Sequence, residues 1–106
     1  MGFFDFFRNP DINQGVTEWS NTPGAVLLDV RNRQEYQEGH IPGSKNVPLS
    51  MINTVSGVVR DKDTPLYVHC LSGARSRQAV AYLGQMGYTN IKNIGGISAY
   101  CGKVEK

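Results

Sequence analysis

Apolar and polar positions fall in blocks along this chain, and the spacing inside each block predicts its conformation. The most apolar block, Ala25-Val26-Leu27-Leu28-Asp29-Val30, is a nearly continuous run of the kind that forms a strand covered on both faces of a parallel sheet. A second strand, Leu66-Tyr67-Val68-His69, follows Thr64-Pro65 and runs directly into Cys70. Strands covered on both faces require helices, and the intervening blocks supply them. Val16 to Trp19 allows one or two helical turns before Asn21-Thr22-Pro23-Gly24 breaks the chain. Arg33 to Glu38 predicts a polar helix anchored by Tyr36 and ended by Gly39. After a loop through Ser76, Gln78 to Met86 carries Ala79, Val80, Leu83 and Met86 at helical spacing and stops at Gly87. Asn46 to Leu49 offers only a short strand, because Pro48 donates no ladder hydrogen bond. Ser50 to Val55 predicts a short helix, and Gly57 with Arg60-Asp61-Lys62-Asp63 a surface connection. Ile91 to Ile94 predicts a last strand, Gly95-Gly96 a tight turn, and Ile97 to Tyr100 a closing helical turn. Strands and helices alternate, which predicts an α/β fold: an open parallel sheet with helices on both faces.

At 106 residues the chain has room for one core, so residues 1–106 are expected to form a single domain. An apolar share of 40% is too high for disorder, and the apolar runs are too interrupted for a membrane span. Eleven Lys and Arg against nine Asp and Glu leave a net charge of +2, too small for whole-surface nucleic-acid binding. The distribution is more informative than the total. No acidic residue occurs between Asp63 and Glu105, whereas Arg75, Arg77, Lys92 and Lys103 all do, so a small anion is the expected partner. Two cysteines, Cys70 and Cys101, are too few for a disulfide scaffold or a four-ligand zinc site, which points to a reducing compartment, the cytoplasm. The start of the chain lacks the basic, apolar and small-residue segments of a secretory signal, and Phe6 stands where myristoylation requires Ser or Thr. Residues 1–11 are an aromatic extension in which Phe3, Phe4, Phe6 and Phe7 are expected to pack on the domain rather than enter a membrane.

The segment Cys70-Leu71-Ser72-Gly73-Ala74-Arg75-Ser76 concentrates the chemistry. A cysteine ends a buried strand, and a compact loop then opens a helix. Ligands of open parallel sheets bind beyond the C-terminal strand ends, where backbone N–H groups of the following helix point at them. Small residues at Ser72, Gly73 and Ala74 let successive amides converge on the sulfur, and Arg75 adds a cation. Together these are expected to lower the Cys70 pKa from about 8.5 into the range of roughly 3.5 to 7.5 found for activated cysteines.

Here the chain resembles the rhodanese family. Leu28-Asp29-Val30-Arg31, Glu35-Tyr36, Gly39-His40-Ile41-Pro42-Gly43-Ser44 and Asn46-Val47-Pro48 are similar in order and spacing to its first motif. Cys70 to Ser76 resembles its active-site loop and Ile94-Gly95-Gly96 its closing motif, so the resemblance spans about Val16 to Tyr100. It implies a sulfurtransferase in which Cys70 carries a persulfide. Thiosulfate or a similar anion donates sulfur, and cyanide, a thiol or a thiol protein accepts it. Arg75 matches the loop arginine, and the amides of Leu71, Ser72, Gly73, Ala74, Arg75 and Ser76 match the cradle for persulfide or substrate. No metal or organic cofactor is implied.

Three alternatives share the fold: a sulfur carrier, a regulatory binding module without turnover, and an arsenate reductase using the same cysteine. Cysteine phosphatases place Arg after five intervening residues; here Ser76 holds that position and only four residues separate Cys70 from Arg75. Where many rhodanese relatives have an aromatic residue after the glycine pair, this chain has Tyr100 and then Cys101, which is expected to be unpaired rather than a resolving thiol. His40 is expected to fix a turn by hydrogen bonding, and strand alternation points His69 away from Cys70. Arg31 is placed to pair with Glu35, four residues on.

Overall fold

The computed structural model describes residues 10–106. The expectation for the four N-terminal phenylalanines lies outside the described residues. The elements run α1 (Ile12–Ser20), β1 (Val26–Asp29), α2 (Arg33–Glu38), β2 (Lys45–Asn46), a 3₁₀ segment (Leu49–Gly57), β3 (Leu66–Cys70), α3 (Ala74–Gln85), β4 (Ile91–Gly96) and a closing 3₁₀ turn (Ile97–Ala99). The strands form one parallel sheet in the order β2-β1-β3-β4, with Val26 beside Leu66 and Asp29 beside His69. The architecture is the α/β sheet that the pattern predicts.

Pleat alternation divides the apolar residues between two cores. Leu28, Leu66, Val68 and Cys70 face one side, where Ala79 and Leu83 of α3 and Ile52 and Val55 of the 3₁₀ segment cover them. Leu27 and Ile94 face the other side, against Ile12, Val16 and Trp19 of α1. Burial on both faces is why β1 and β3 read as apolar runs. Asp11 caps α1 by accepting from the Asn13 amide, so this helix is longer than the two turns expected. Among the described residues, no helix is long and apolar enough to cross a membrane.

Four elements differ from expectation. Pro48 ends β2 early, and the helix expected over Ser50 to Val55 is 3₁₀, interrupted at Met51. Gly95-Gly96 is not a turn between elements but the end of β4: the β3–β4 register shifts at Val68/His69, and Gly95 absorbs the irregularity at φ +103°. Helix α3 begins at Ala74 rather than Gln78, because Gly73 at φ +109° turns the chain directly from the cysteine loop into the helix. Arg75 and Ser76 therefore sit in its first turn.

β1 has β2 on one side and β3 on the other, so the connections leaving β1 and β3 diverge at their C-terminal ends. That divergence opens a crevice where open α/β sheets bind ligands. It lies between Asp29-Val30-Arg31 and Cys70-Leu71-Ser72.

Candidate active site

Cys70 closes β3 and is only 1% exposed. The Gly73 amide donates to its Sγ at 3.0 Å, and Ser76 Oγ lies 3.5 Å from the same atom. Burial pushes the Cys70 thiol up, but hydrogen bonds from the Ser76 hydroxyl and the amides of Ser76, Gly73 and Ser72 outweigh it and hold the thiol below its ordinary value. The sulfur also sits at the N-terminal end of a twelve-residue helix, whose dipole favours an anion there. Of the loop residues singled out from sequence, Leu71 and Ser72 form the exposed rim, Ala74 is exposed, and Ser76 is fully buried against the sulfur.

Ser76 is held by a residue the sequence reading missed. Asn93 Oδ1 accepts from Ser76 Oγ at 2.8 Å and from the Gly95 amide at 3.0 Å, which ties the first turn of α3 to β4. When the thiol ionises, the Ser76 O–H can turn from Asn93 to the sulfur within the same contact shell. The Leu71 carbonyl accepts from the Ser98 amide at 3.0 Å, fixing the other side of the loop. Gly96 makes this closeness feasible: a Cβ there would lie 2.5 Å from Ser72 Cα.

The ion pairs correct one expectation. Arg31 pairs with Asp29, not with Glu35: Arg31 Nη2 donates to Asp29 Oδ2 at 2.7 Å, Nε to Oδ1 at 3.0 Å, and Nη2 also to the Gly39 carbonyl at 2.8 Å. Asn32 is the N-cap of α2, so Arg31 lies outside the helix and four-residue helical spacing does not govern it. Glu35 completes the capping box with Asn32 and turns its carboxylate to the cysteine loop. There it meets Arg75 in a bidentate pair, Nη1 to Oε1 at 2.7 Å and Nη2 to Oε2 at 3.0 Å. Hydrogen bonding to Arg75 lowers Glu35 to about 2 against the opposing effect of burial, with the Asn32 amide adding to the lowering. The same pair raises Arg75.

His69 is fully buried on the opposite face from Cys70, as alternation requires, with Nε2 3.8 Å from Asp29 Oδ2. Burial lowers its pKa, opposed by the Asp29 charge, so it stays neutral, and its place on the opposite face keeps it from the Cys70 sulfur. His40 fixes its turn: Nδ1 hydrogen-bonds the Tyr36 carbonyl at 2.8 Å while the ring stacks on Tyr36. Tyr100 packs on the α1 side, and Cys101 is an exposed free thiol. Beside the loop opens a cavity of about 240 Å³ lined by Arg31, Glu35, Glu38, Gly39 and Leu71.

The model of the rhodanese-like domain matches residues 13–103 of this chain. The chain belongs to the rhodanese-like domain family. It is 38% identical over 71 residues to thiosulfate sulfurtransferase PspE of Escherichia coli (strain K12), covering 66% of this chain and 68% of that protein. It is 40% identical over 83 residues to a sulfurtransferase of Allochromatium vinosum, covering 76% of each. The solved structure described as rhodanese with anions from E. coli superposes with a TM-score of 0.72 at 34% identity, covering 77% of this chain and 98% of that one. With these relatives, the chain is a rhodanese domain of the sulfurtransferase type. One residue of this rhodanese site escaped the sequence reading, Asn93, and Glu35 was read there with another partner, Arg31. Glu35 carried a local signal, its place in the capping box three residues after Asn32, but nothing in the spacing names Arg75 as its partner. Asn93 is two residues before Gly95, and only the β3–β4 pairing brings it to Ser76.

Proposed function

We propose that this rhodanese domain transfers sulfane sulfur through a persulfide on Cys70. The Cys70 thiolate attacks the outer sulfur of thiosulfate or a similar small anionic donor. As the Sγ–S bond forms, the donor's S–S bond breaks and sulfite leaves with the bonding pair. A thiophilic acceptor, cyanide or a thiol, then attacks the terminal sulfur and restores the thiolate. This is covalent catalysis that splits one transfer into two displacements. The observation that carries the reading is the cradle at the end of β3: the Gly73 amide at 3.0 Å from Sγ, with Ser76 and the helix terminus behind it. The same donors stabilise a thiolate before the first step and a persulfide anion after it. Arg75 belongs to the site as the loop arginine, held by Glu35, and exposed Arg77, on the same helix, supplies positive potential. A reducing compartment such as the cytoplasm suits a cysteine that must return to thiolate on each cycle.

The test is turnover of thiosulfate with cyanide, read as sulfite and thiocyanate, for wild type and Cys70→Ser. The account expects turnover by wild type and none above background by the variant. Equal rates for the two would remove Cys70 from the mechanism. Transfer to small thiols supports an enzyme, whereas delivery to one protein alone supports a sulfur carrier.

A further inference from the structure

Resting on that reading, we propose that Glu35 sets the donor class, cancelling the charge of Arg75 so that the site favours low-charge organic persulfides over the thiosulfate dianion. Both terminal nitrogens of Arg75 are spent on the two oxygens of Glu35, at 2.7 and 3.0 Å. Glu35 cannot easily swing aside, because the same carboxylate accepts from the Asn32 amide at 3.0 Å as part of the α2 cap. The only cation within the loop is therefore presented to an incoming donor as a neutral pair.

The adjoining cavity reinforces the bias. Its one cation among the described residues, Arg31, is buried and committed to Asp29 and the Gly39 carbonyl, while Glu35 and Glu38 are both acidic. Leu71, 44% exposed, gives it an apolar wall that suits an alkyl group better than a sulfonate. Among the described residues a dianion meets amides and the helix terminus there but no free guanidinium, whereas R–S–SH, the protonated form that the thiolate attacks, brings no charge to be neutralised. In the transfer the Cys70 thiolate attacks the outer sulfur of R–S–SH and the donor S–S bond breaks. RS⁻ leaves with the electron pair, and the proton stays on the transferred sulfur as Cys70–S–SH. No oxidant or reductant is consumed.

Glu35→Gln isolates the charge. Glutamine is accepted at the third position of a capping box and can still hydrogen-bond Arg75, so helix α2 is retained. The experiment measures Cys70 sulfur loading from thiosulfate and from ethyl persulfide, whose alkyl group carries no charge, in wild type, Glu35→Gln and Glu35→Asp, at low and high salt. Removing one negative charge beside a dianion in a partly exposed site should raise the thiosulfate-to-persulfide ratio of kcat/KM about 5- to 10-fold, mostly through KM. High salt should shrink the gain, and Glu35→Asp, which keeps the charge, should restore a ratio near that of wild type. A purely structural role for Glu35 would slow both donors together and show no salt dependence. An unchanged ratio in Glu35→Gln overturns this inference alone, whereas failure of wild type to load from either donor overturns the sulfurtransferase reading beneath it.

Discussion

Gly96→Ala tests the geometry of the sulfur loop without touching any side chain in it. Gly96 has extended backbone angles, φ −127° and ψ 141°, which alanine adopts freely, so any effect of the added methyl is steric. A Cβ there would sit 2.5 Å from Ser72 Cα and 2.6 Å from the Leu71 carbonyl carbon, and closer still to the Leu71 oxygen. Carbon atoms pack at about 3.5 to 4.0 Å, so the loop backbone must retreat by about 1 Å. That displacement would stretch the Ser98–Leu71 and Gly73–Sγ hydrogen bonds, each 3.0 Å now, out of range. Overpacking of about 1–3 kcal/mol plus about 1 kcal/mol for the lost backbone bond gives a destabilisation of about 2–4 kcal/mol. For a domain of this size that is a fall in Tm of about 10–20 °C. A 1 Å misplacement of reacting groups costs about 100-fold, so sulfur loading of Cys70 should slow by that factor. Thermal melting by circular dichroism and loading followed by mass spectrometry measure the two effects. Gly57→Ala, where a Cβ meets nothing within 4 Å, is the control and should load at the wild-type rate. A Gly96→Ala protein with wild-type Tm and a loading rate within threefold of wild type would refute the packing of β4 against the loop.

Other consequences follow from the same contacts. Ser76→Ala should shift the pH profile of Cys70 alkylation upward and slow sulfur loading at neutral pH by about 10- to 100-fold, since it removes one of the groups holding the thiolate; an unchanged profile would count against the Ser76 contact. Asn93→Ala should lower stability in urea by about 1–3 kcal/mol, because the buried Ser76 hydroxyl and the Gly95 amide lose their shared acceptor; wild-type stability would show that the bridge is not formed. Acid should act in two windows. His69, whose folded pKa is depressed below 6.5, costs stability as pH falls below that unfolded value, since the unfolded chain takes up the proton first. Glu35, depressed from 4.5 to about 2, contributes stability that is complete above 4.5 and is lost as pH falls towards 2. With both partners partly exposed, screening discounts that loss to about 1–2 kcal/mol. Glu35→Gln should flatten the lower window only, and a pH–stability curve identical to that of wild type would contradict the pair.

What was legible in the sequence is what depends on near neighbours. β1 and β3 appear as apolar runs because both faces are covered, and the Cys70 loop is legible because its small residues and its helix are contiguous. The misplaced start of α3 has a local cause too: apolar periodicity begins only at Ala79, whereas the helix is set by the positive φ of Gly73, which periodicity does not register. Contacts across long sequence separations were not legible. Glu35 and Arg75 are brought together because β1 and β3 are neighbours with divergent connections, and Asn93 reaches Ser76 because β4 lies beside β3. The expected Arg31–Glu35 pair failed for a nearby reason: Asn32 starts α2, so a spacing rule for helices was applied to a residue outside one. Gly95-Gly96 carries a strong turn signal yet continues a strand, because the register shift that skips Ile94 uses the positive φ of Gly95, and Gly96 must lack a side chain beside Leu71.

The most direct test of the central claim is the intact mass of the protein before and after thiosulfate, under non-reducing conditions, for wild type and Cys70→Ser. The account predicts that wild type gains the mass of one sulfur atom, that cyanide removes it, and that Cys70→Ser gains none. Sulfur on Cys70→Ser, or none on wild type with either thiosulfate or an organic persulfide, would contradict it.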